Sequence, residues 1–297
     1  MRILNFGSCN IDYVYSVEHS AMPGETVSSS SLNLFAGGKG LNQSIAAAKA
    51  GAAVYHAGNI GADGKMLREI LRESGVDDTY LKDTDAKNGH AIIQVSASGE
   101  NCIVLYPGSN FMLTEEYIDS VLDSFSAGDI LLLQNETNLV GYIVDGAFER
   151  GMQVVLNPSP FNDALKAIDF SKLSYIILNE VEASAFTGCE KAEDSLSYVK
   201  KHYPLLKVML TLGKNGCIYT DSDSYLTQSV FRVKAVDTTA AGDTFTGYFL
   251  AAVADGKPYS DAIRMASAAS AIAVSRNGAA PSIPYKNEVE EFLKNYD

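Results

Sequence analysis

A carboxylate set among small residues at a helix start is the part of this chain best equipped for chemistry. In Asp237-Thr238-Thr239-Ala240-Ala241-Gly242-Asp243-Thr244-Phe245-Thr246-Gly247, small side chains leave backbone N–H groups open where a helix begins. That end carries the positive pole of the helix dipole and suits a phosphate oxygen. Asp243 beside such an anion site would repel a phosphate, unless its task is to take a proton from the attacking group. The pairing points to phosphoryl transfer to a hydroxyl. A helix N-cap is the alternative reading of the same aspartate. A second cluster, Ala36-Gly37-Gly38-Lys39-Gly40-Leu41-Asn42-Gln43-Ser44, opens another helix and offers close backbone approach, one cation and one amide. It has neither the glycine spacing of a dinucleotide fingerprint nor the Lys-Ser/Thr of a Walker loop. Its groups suit a small polyhydroxylated ligand; alternatively, the glycines serve tight packing against a strand.

Both clusters must be carried by strand-to-helix junctions. Strands are predicted over 3–7, 54–59, 129–134, 153–157, 175–179 and 207–212, with valine-rich 230–236 as a strand leading to Asp243. Helices are predicted over 42–50, 65–74, 114–124, 139–150, 181–186, 192–202, 244–254, 260–274 and 287–295. This alternation favours an α/β fold with a mainly parallel sheet. Two stretches, about 11–36 and 89–107, break the rhythm with β-like runs at 26–35, 90–95 and 102–106. They suit a small separate sheet over the ligand-binding edge, in effect a lid.

The 297 residues are 46% hydrophobic, which excludes a mostly disordered chain. A net charge of −13 argues against nucleic-acid binding, but a local anion site can still hold ATP. Cys9, Cys102, Cys189 and Cys217 are far apart, so neither a zinc site nor a disulfide framework is expected. No apolar stretch reaches membrane-spanning length, and the first residues turn polar too soon for a signal peptide; a cytoplasmic protein is expected.

Gly37-Gly38-Lys39-Gly40-Leu41-Asn42 and Asp237-Thr238-Thr239-Ala240-Ala241-Gly242-Asp243 together resemble the two signatures of the ribokinase-like (PfkB) carbohydrate kinases. The resemblance runs from residue 5 to about 292. It includes Gly7-Ser8-Cys9-Asn10-Ile11-Asp12, Pro23-Gly24-Glu25-Thr26, Asn157-Pro158-Ser159-Pro160, Asn179-Glu180-Val181-Glu182, Thr211-Leu212-Gly213 and Gly278-Ala279-Ala280-Pro281-Ser282-Ile283-Pro284. It implies one kinase domain over 1–297. Its fold would be a three-layer α/β/α sandwich with a mainly parallel central sheet and a small β-sheet lid inserted at about 11–36 and 89–107.

By the same resemblance Asp243 is the general base and the N–H groups of Ala240, Ala241 and Gly242 form the anion hole. Asn10, Asp12, Gly38, Lys39, Asn42 and Glu136 match sugar-binding positions. Asn179, Glu182, Thr211, Gly213 and Asn277 match positions near the nucleotide, with Glu182 ordering the waters of Mg²⁺. Asp237, Thr239, Ala273, Arg276, Gly278 and Ser282 match a monovalent-cation site for K⁺. The implied reaction is ATP-dependent phosphorylation of the 5-hydroxyl of D-ribose, in a homodimer formed through the lid. 2-Deoxyribose or a nucleoside is the alternative acceptor, and a non-catalytic sugar-binding regulator the alternative class. Ala240 stands where many members carry glycine. Asn88-Gly89-His90-Ala91 and Gln94 depart from the pattern, and a nucleoside or another pentose would be indicated if His90 or Gln94 faced the sugar.

Overall fold

Hydrophobic runs without alternation, such as Ile-Leu-Leu-Leu at 130–133, need cover on both faces of their sheet. The computed structural model, which describes residues 1–296, supplies it with helices on either side. The chain begins β1 (Ile3–Phe6), β2 (Asn10–Ser16), β3 (Ser31–Gly37), α1 (Lys39–Lys49), β4 (Val54–Ile60), α2 (Lys65–Glu73) and β5 (Leu81–Asp83). It continues with β6 (Gly89–Val95), β7 (Asn101–Tyr106), α3 (Glu115–Leu122), β8 (Ile130–Gln134), α4 (Val140–Glu149), β9 (Gln153–Asn157), β10 (Tyr175–Asn179) and α5 (Glu180–Thr187). It ends with α6 (Ala192–His202), β11 (Lys207–Thr211), β12 (Cys217–Thr220), β13 (Tyr225–Gln228), α7 (Ala241–Ala254), α8 (Tyr259–Val274) and α9 (Lys286–Tyr296).

Nine strands form the central sheet in the order β13-β12-β11-β10-β9-β8-β1-β4-β5, parallel from β11 to β5 with two antiparallel strands added at one edge. Residues of α1, α2, α7, α8 and α9 build the core on one face, and those of α3 to α6 build it on the other. The result is a three-layer α/β/α sandwich. Strand side chains alternate between the layers. Ile3, Ile130, Leu132, Val155, Tyr175 and Ile177 face the α1/α7 side. At the C-terminal ends of β1, β8, β9 and β10 that same alternation turns Asn5, Gln134, Asn157 and Asn179 toward this side. Polar groups therefore replace the core where α1 and α7 begin.

A second sheet of four strands, ordered β3-β2-β6-β7, stands apart; β2 and β6 are parallel and the other pairs antiparallel. It exposes Leu34, Ile103, Val104 and Leu105, each about half accessible or more.

Several predicted boundaries change. Residues 230–236 form no strand: Phe231 packs edge-on against Phe292 and Tyr296 of α9, and Val236 N–H donates to Val274 O at the end of α8 (2.8 Å). The segment lies along helices, not along a strand partner. Both signature helices begin three residues earlier than predicted, because small residues that read as loop already form their first turns. The run at 26–35 is displaced to Ser31–Gly37, in register with β2. Among the described residues no helix is long and apolar enough to cross a membrane.

Candidate active site

Two glycines let α1 and α7 come close enough to share a site. A Cβ on Gly40 would lie 2.4 Å from Gly7 Cα and Ser8 N, so only glycine lets α1 start against the end of β1. A Cβ on Gly247 would lie 2.4 Å from Ala46 Cβ and 2.6 Å from Ala47 N. Gly247 is one turn beyond Asp243, on the same face of α7. Its close approach to α1 brings the buried Asp243 to Asn42 and Gln43. Asn42 Nδ2 donates to Asp243 Oδ2 (3.1 Å) and Gln43 Nε2 to Asp243 Oδ1 (2.9 Å).

The helix start is set by Ala240, whose φ of 58° is left-handed; α7 begins at Ala241 and Thr244 N–H donates to Ala240 O (2.8 Å). Asp243 is thus the third helical residue, and the N-cap reading of it is corrected: Ala240 occupies that position and no side chain caps it. First-turn N–H groups have no intrahelical acceptor. Those of Ala241, Gly242 and Asp243 stand at the rim of a pocket of about 220 Å³, although Ala241 N–H also makes a long turn bond to Thr238 O (3.3 Å). The pocket is lined by Lys39, Asn179, Glu182, Thr211 and residues 240–243.

Beside it lie the groups matched to a sugar. Glu136 Oε2 accepts from Ser8 Oγ (2.5 Å) and from Lys39 N–H (3.0 Å), joining β8's exit to α1's first turn. Burial pushes Glu136 above the usual carboxylate range, with Lys39 and the Ser8 bond opposing. Burial would lower Lys39, but the carboxylates of Asp243, Glu136 and Glu182 outweigh it and hold its ammonium above the ordinary value. Asn10 Oδ1 accepts from Asn110 Nδ2 (2.7 Å), and Gly38, at φ 93°, caps α1. Asp12 on β2 lies against the backbone of Gly37 and accepts no hydrogen bond among the described residues. Burial, reinforced by Glu136, pushes it up to about 7. The Asn42 Oδ1 atom is buried without a partner.

At the other side Asn179 and Glu182 form a reciprocal capping box: Glu182 N–H donates to Asn179 Oδ1 (2.9 Å) and Asn179 N–H to Glu182 Oε2 (3.0 Å). Glu182 also lines the pocket. Thr211 ends β11; Gly213, at φ 52°, and the exposed Asn277 lie outside this pocket.

The residues matched to a cation fall on two segments tied by Asp237. Its Oδ1 accepts from Thr239 N–H (2.9 Å) and Oγ1 (2.6 Å), and its Oδ2 from Gly278 N–H (2.9 Å). Burial opposes ionisation, but these bonds prevail and hold Asp237 below the usual range. Ala273 O accepts from Arg276 N–H (3.0 Å), Arg276 pairs with Glu288 (2.6 Å), and the buried Ser282 donates to Ala279 O (2.8 Å). Among the described residues no three Asp, Glu, His or Cys side chains cluster to hold a metal.

Gln43, Gln134, Asn157 and Ser8 had no role in the sequence reading yet contact the proposed base or its neighbours. Gln43 and Ser8 lie inside recognised segments, which is the signal that could have raised them. His90 and Gln94 are in register with Ile11 and Tyr15 and so face away from Asp12. His90 packs on Tyr13 and Tyr106, and Gln94 Oε1 accepts from Ala21 N–H (2.9 Å).

The chain is 38% identical to a ribokinase of Haemophilus influenzae over 300 residues, covering 97% of each. Its fold matches the structure of Cryptococcus neoformans ribokinase in complex with ADP (TM-score 0.85, 34% identity, 98% of this chain and 99% of that one). It also matches Arabidopsis thaliana ribokinase complexed with ribose and ATP (TM-score 0.86, 29% identity, 99% and 98%). With the pfkB family carbohydrate kinase pattern matching residues 2–286, on the fold and signature residues described above, the chain belongs to that family.

Proposed function

We propose that this chain transfers the γ-phosphoryl group of ATP to the 5-hydroxyl of D-ribose, giving ribose 5-phosphate and ADP. The observation that carries the reading is the Asp243 carboxylate, clamped by two amides in the first turn of α7 and lining the same pocket as Lys39, Asn179 and Glu182. The Arabidopsis relative holds ribose and ATP, which supports the choice of acceptor and donor. Asp243 takes the hydroxyl proton as that oxygen attacks the γ-phosphorus, and the bond to the β-phosphate oxygen breaks. The N–H groups at 240–242 receive the charge that develops on the phosphoryl oxygens. Asn10, Asp12, Gly38, Lys39, Asn42 and Glu136 hold the pentose; the buried, unpartnered Asn42 Oδ1 and the half-buried Asp12 carboxylate are acceptors for its hydroxyls. Asn179, Glu182, Thr211, Gly213 and Asn277 face the nucleotide.

Magnesium, when bound, neutralises phosphate charge, with Glu182 holding its waters. Potassium would sit among the oxygens of 237, 239, 273, 276, 278 and 282 and order the loop before α7. The four-stranded sheet, over about 11–36 and 89–107, serves as a lid on a single kinase domain. Its exposed Leu34, Ile103 and Leu105 favour a homodimer through paired lids, for which light scattering should give twice the chain mass. Four free thiols suit a reducing cytoplasm.

The deciding experiment is a coupled ATPase assay with ribose, 2-deoxyribose, fructose and nucleosides as acceptors. Ribose should give the highest kcat/KM and a product phosphorylated at O5. ATP turnover indifferent to added sugar would overturn the reading.

A further inference from the structure

The strand-end amides beneath Asp243 form a network with a direction. Main-chain carbonyls can only accept hydrogen bonds, so an amide bonded to one has its orientation settled. Asn5 Nδ2 donates to Gly40 O (2.8 Å) and to Ser44 Oγ (2.8 Å), which leaves Asn5 Oδ1 as an acceptor. Gln134 Nε2 fills it (3.1 Å) and gives its other hydrogen to Gln43 Oε1 (2.7 Å). From the opposite side Asn157 Nδ2 donates to Ile177 O (2.8 Å), so Asn157 Oδ1 accepts from Gln43 Nε2 (3.0 Å). Both routes impose the same orientation on Gln43, whose remaining N–H points at Asp243 Oδ1 (2.9 Å). A flipped Gln43 would set its oxygen against the Asp243 carboxylate and its NH₂ against that of Gln134. Gln43 is wholly buried and Gln134 nearly so, so water offers no substitute partner.

We propose that Gln43 and Gln134 are positioning residues for the base: Gln134 orients Gln43, and Gln43 fixes the Asp243 carboxylate with its unfilled lone pairs turned to the pocket. Gln134 does not line that pocket and acts only through Gln43. The charged groups around Asp243 are Lys39 on α1, Glu136 beyond β8 and Glu182 on α5, and the substitutions below leave all three in place. His56, which meets the far end of the network through Ser44, is buried and held down at about 4 by burial, so it stays neutral and relays no charge.

The inference rests on the proposed role of Asp243, and the test separates the two. Steady-state kinetics would be measured on the full chain for Asp243→Asn, Gln43→Met, Gln134→Met and the double Gln43→Met/Gln134→Met, with competent sites counted by ribose calorimetry. Gln43→Met should lower kcat per ribose-binding site about ten- to hundredfold, and Gln134→Met about three- to tenfold, with ribose and ATP affinities changed by less than about threefold. The double variant should match Gln43→Met within about twofold, because the second residue acts through the first. A merely structural role would reduce the number of sites and the melting temperature without touching turnover per site. Parent turnover in Gln43→Met, or independent multiplication of the two losses, would overturn the inference. Should Gln43→Met not fold, Gln134→Glu decides: it favours the flipped Gln43 and must be slower than Gln134→Met. Retained turnover in Asp243→Asn would instead overturn the base assignment itself.

Discussion

Asp243 on α7 receives two amide hydrogen bonds from helix α1, whereas Asp12 on β2 of the four-stranded sheet receives none among the described residues. The first sits where three strands, two helices and a chain of buried amides converge. The second sits on a two-faced sheet that exposes Leu34, Val104 and Leu105. The body of the fold thus presents its carboxylate preorganised, which is what a proton acceptor in a transition state needs. The small sheet leaves its carboxylate short of partners and pushed up to about 7; on the function proposed above, a ligand's hydroxyls complete it. A missing hydroxyl would then leave the half-buried Asp12 acceptor unpaired, which is how such a site would discriminate.

The largest effect should follow from breaking the body side. Asp243→Asn keeps the volume and both amide contacts within reach but removes the proton acceptor. Turnover should fall by roughly 10²–10⁴ while ATP and ribose still bind. Near-parental kcat, from protein of verified sequence, would mean that the two carboxylates do not divide the work as proposed.

Breaking the sheet side should act on binding. Asp12→Ala should weaken ribose binding by about 1–3 kcal/mol, the range for leaving hydrogen-bonding groups unpaired, with ATP binding unchanged. Because an ionised Asp12 carboxylate accepts hydroxyl hydrogen bonds more strongly than the protonated acid does, ribose affinity in the parent should decline as pH falls below about 7. The same group carries a stability signature. Its folded-state value lies above the ordinary 3.8, so the stability it contributes is full below 3.8 and lost as pH rises to 7. Asp12→Asn should therefore melt above the parent at pH 8 and with it at pH 4. Equal melting differences at both pH values would show that burial does not oppose the charge.

A smaller response is expected at the hinge between the two regions' tasks, the loop before α7. Asp237 fastens 237–239 to Gly278, and a cation held there would favour the ordered loop by its differential affinity for that state. Replacing Na⁺ by K⁺ at constant ionic strength should raise kcat several-fold, and Asp237→Ala should abolish the difference. Identical rates in K⁺, Na⁺ and a bulky organic cation would leave Asp237 as a loop fastener alone.

What could be read from the chain divides along the range of the interactions. Asp243 behind its run of small residues, the glycine run at the start of α1 and the Asn179/Glu182 spacing of three stood out because each signal is written within a short stretch of chain, although the contacts of Asp243 and of the glycines are long-range. The Gln134–Gln43–Asp243 chain spans separations of 91 and 200 residues, and no local spacing records it. Valine-rich 230–236 read as a strand, yet strand propensity reports fit to a sheet that this segment never reaches. β12 and β13 went unread because four-residue strands carry too few alternations to register.

Ala240 should give the smallest effect and the sharpest check on how the body side is organised. At φ 58° its Cβ opposes the left-handed backbone that begins α7, a cost of roughly 1–2 kcal/mol that glycine would not bear. Against this, glycine adds unfolded-state freedom worth about 0.4–1 kcal/mol. Ala240→Gly should therefore be neutral to mildly stabilising, by at most about 1.5 kcal/mol, and should leave Asp243 in place because Thr244 N–H still finds the carbonyl of residue 240. If preorganisation on this side comes from the amides behind Asp243, kcat should stay within about twofold of the parent. A tenfold loss in kcat with an unchanged melting temperature would locate the rigidity in the Ala240 methyl group instead, and the contrast between the two carboxylates would then be one of loop stiffness.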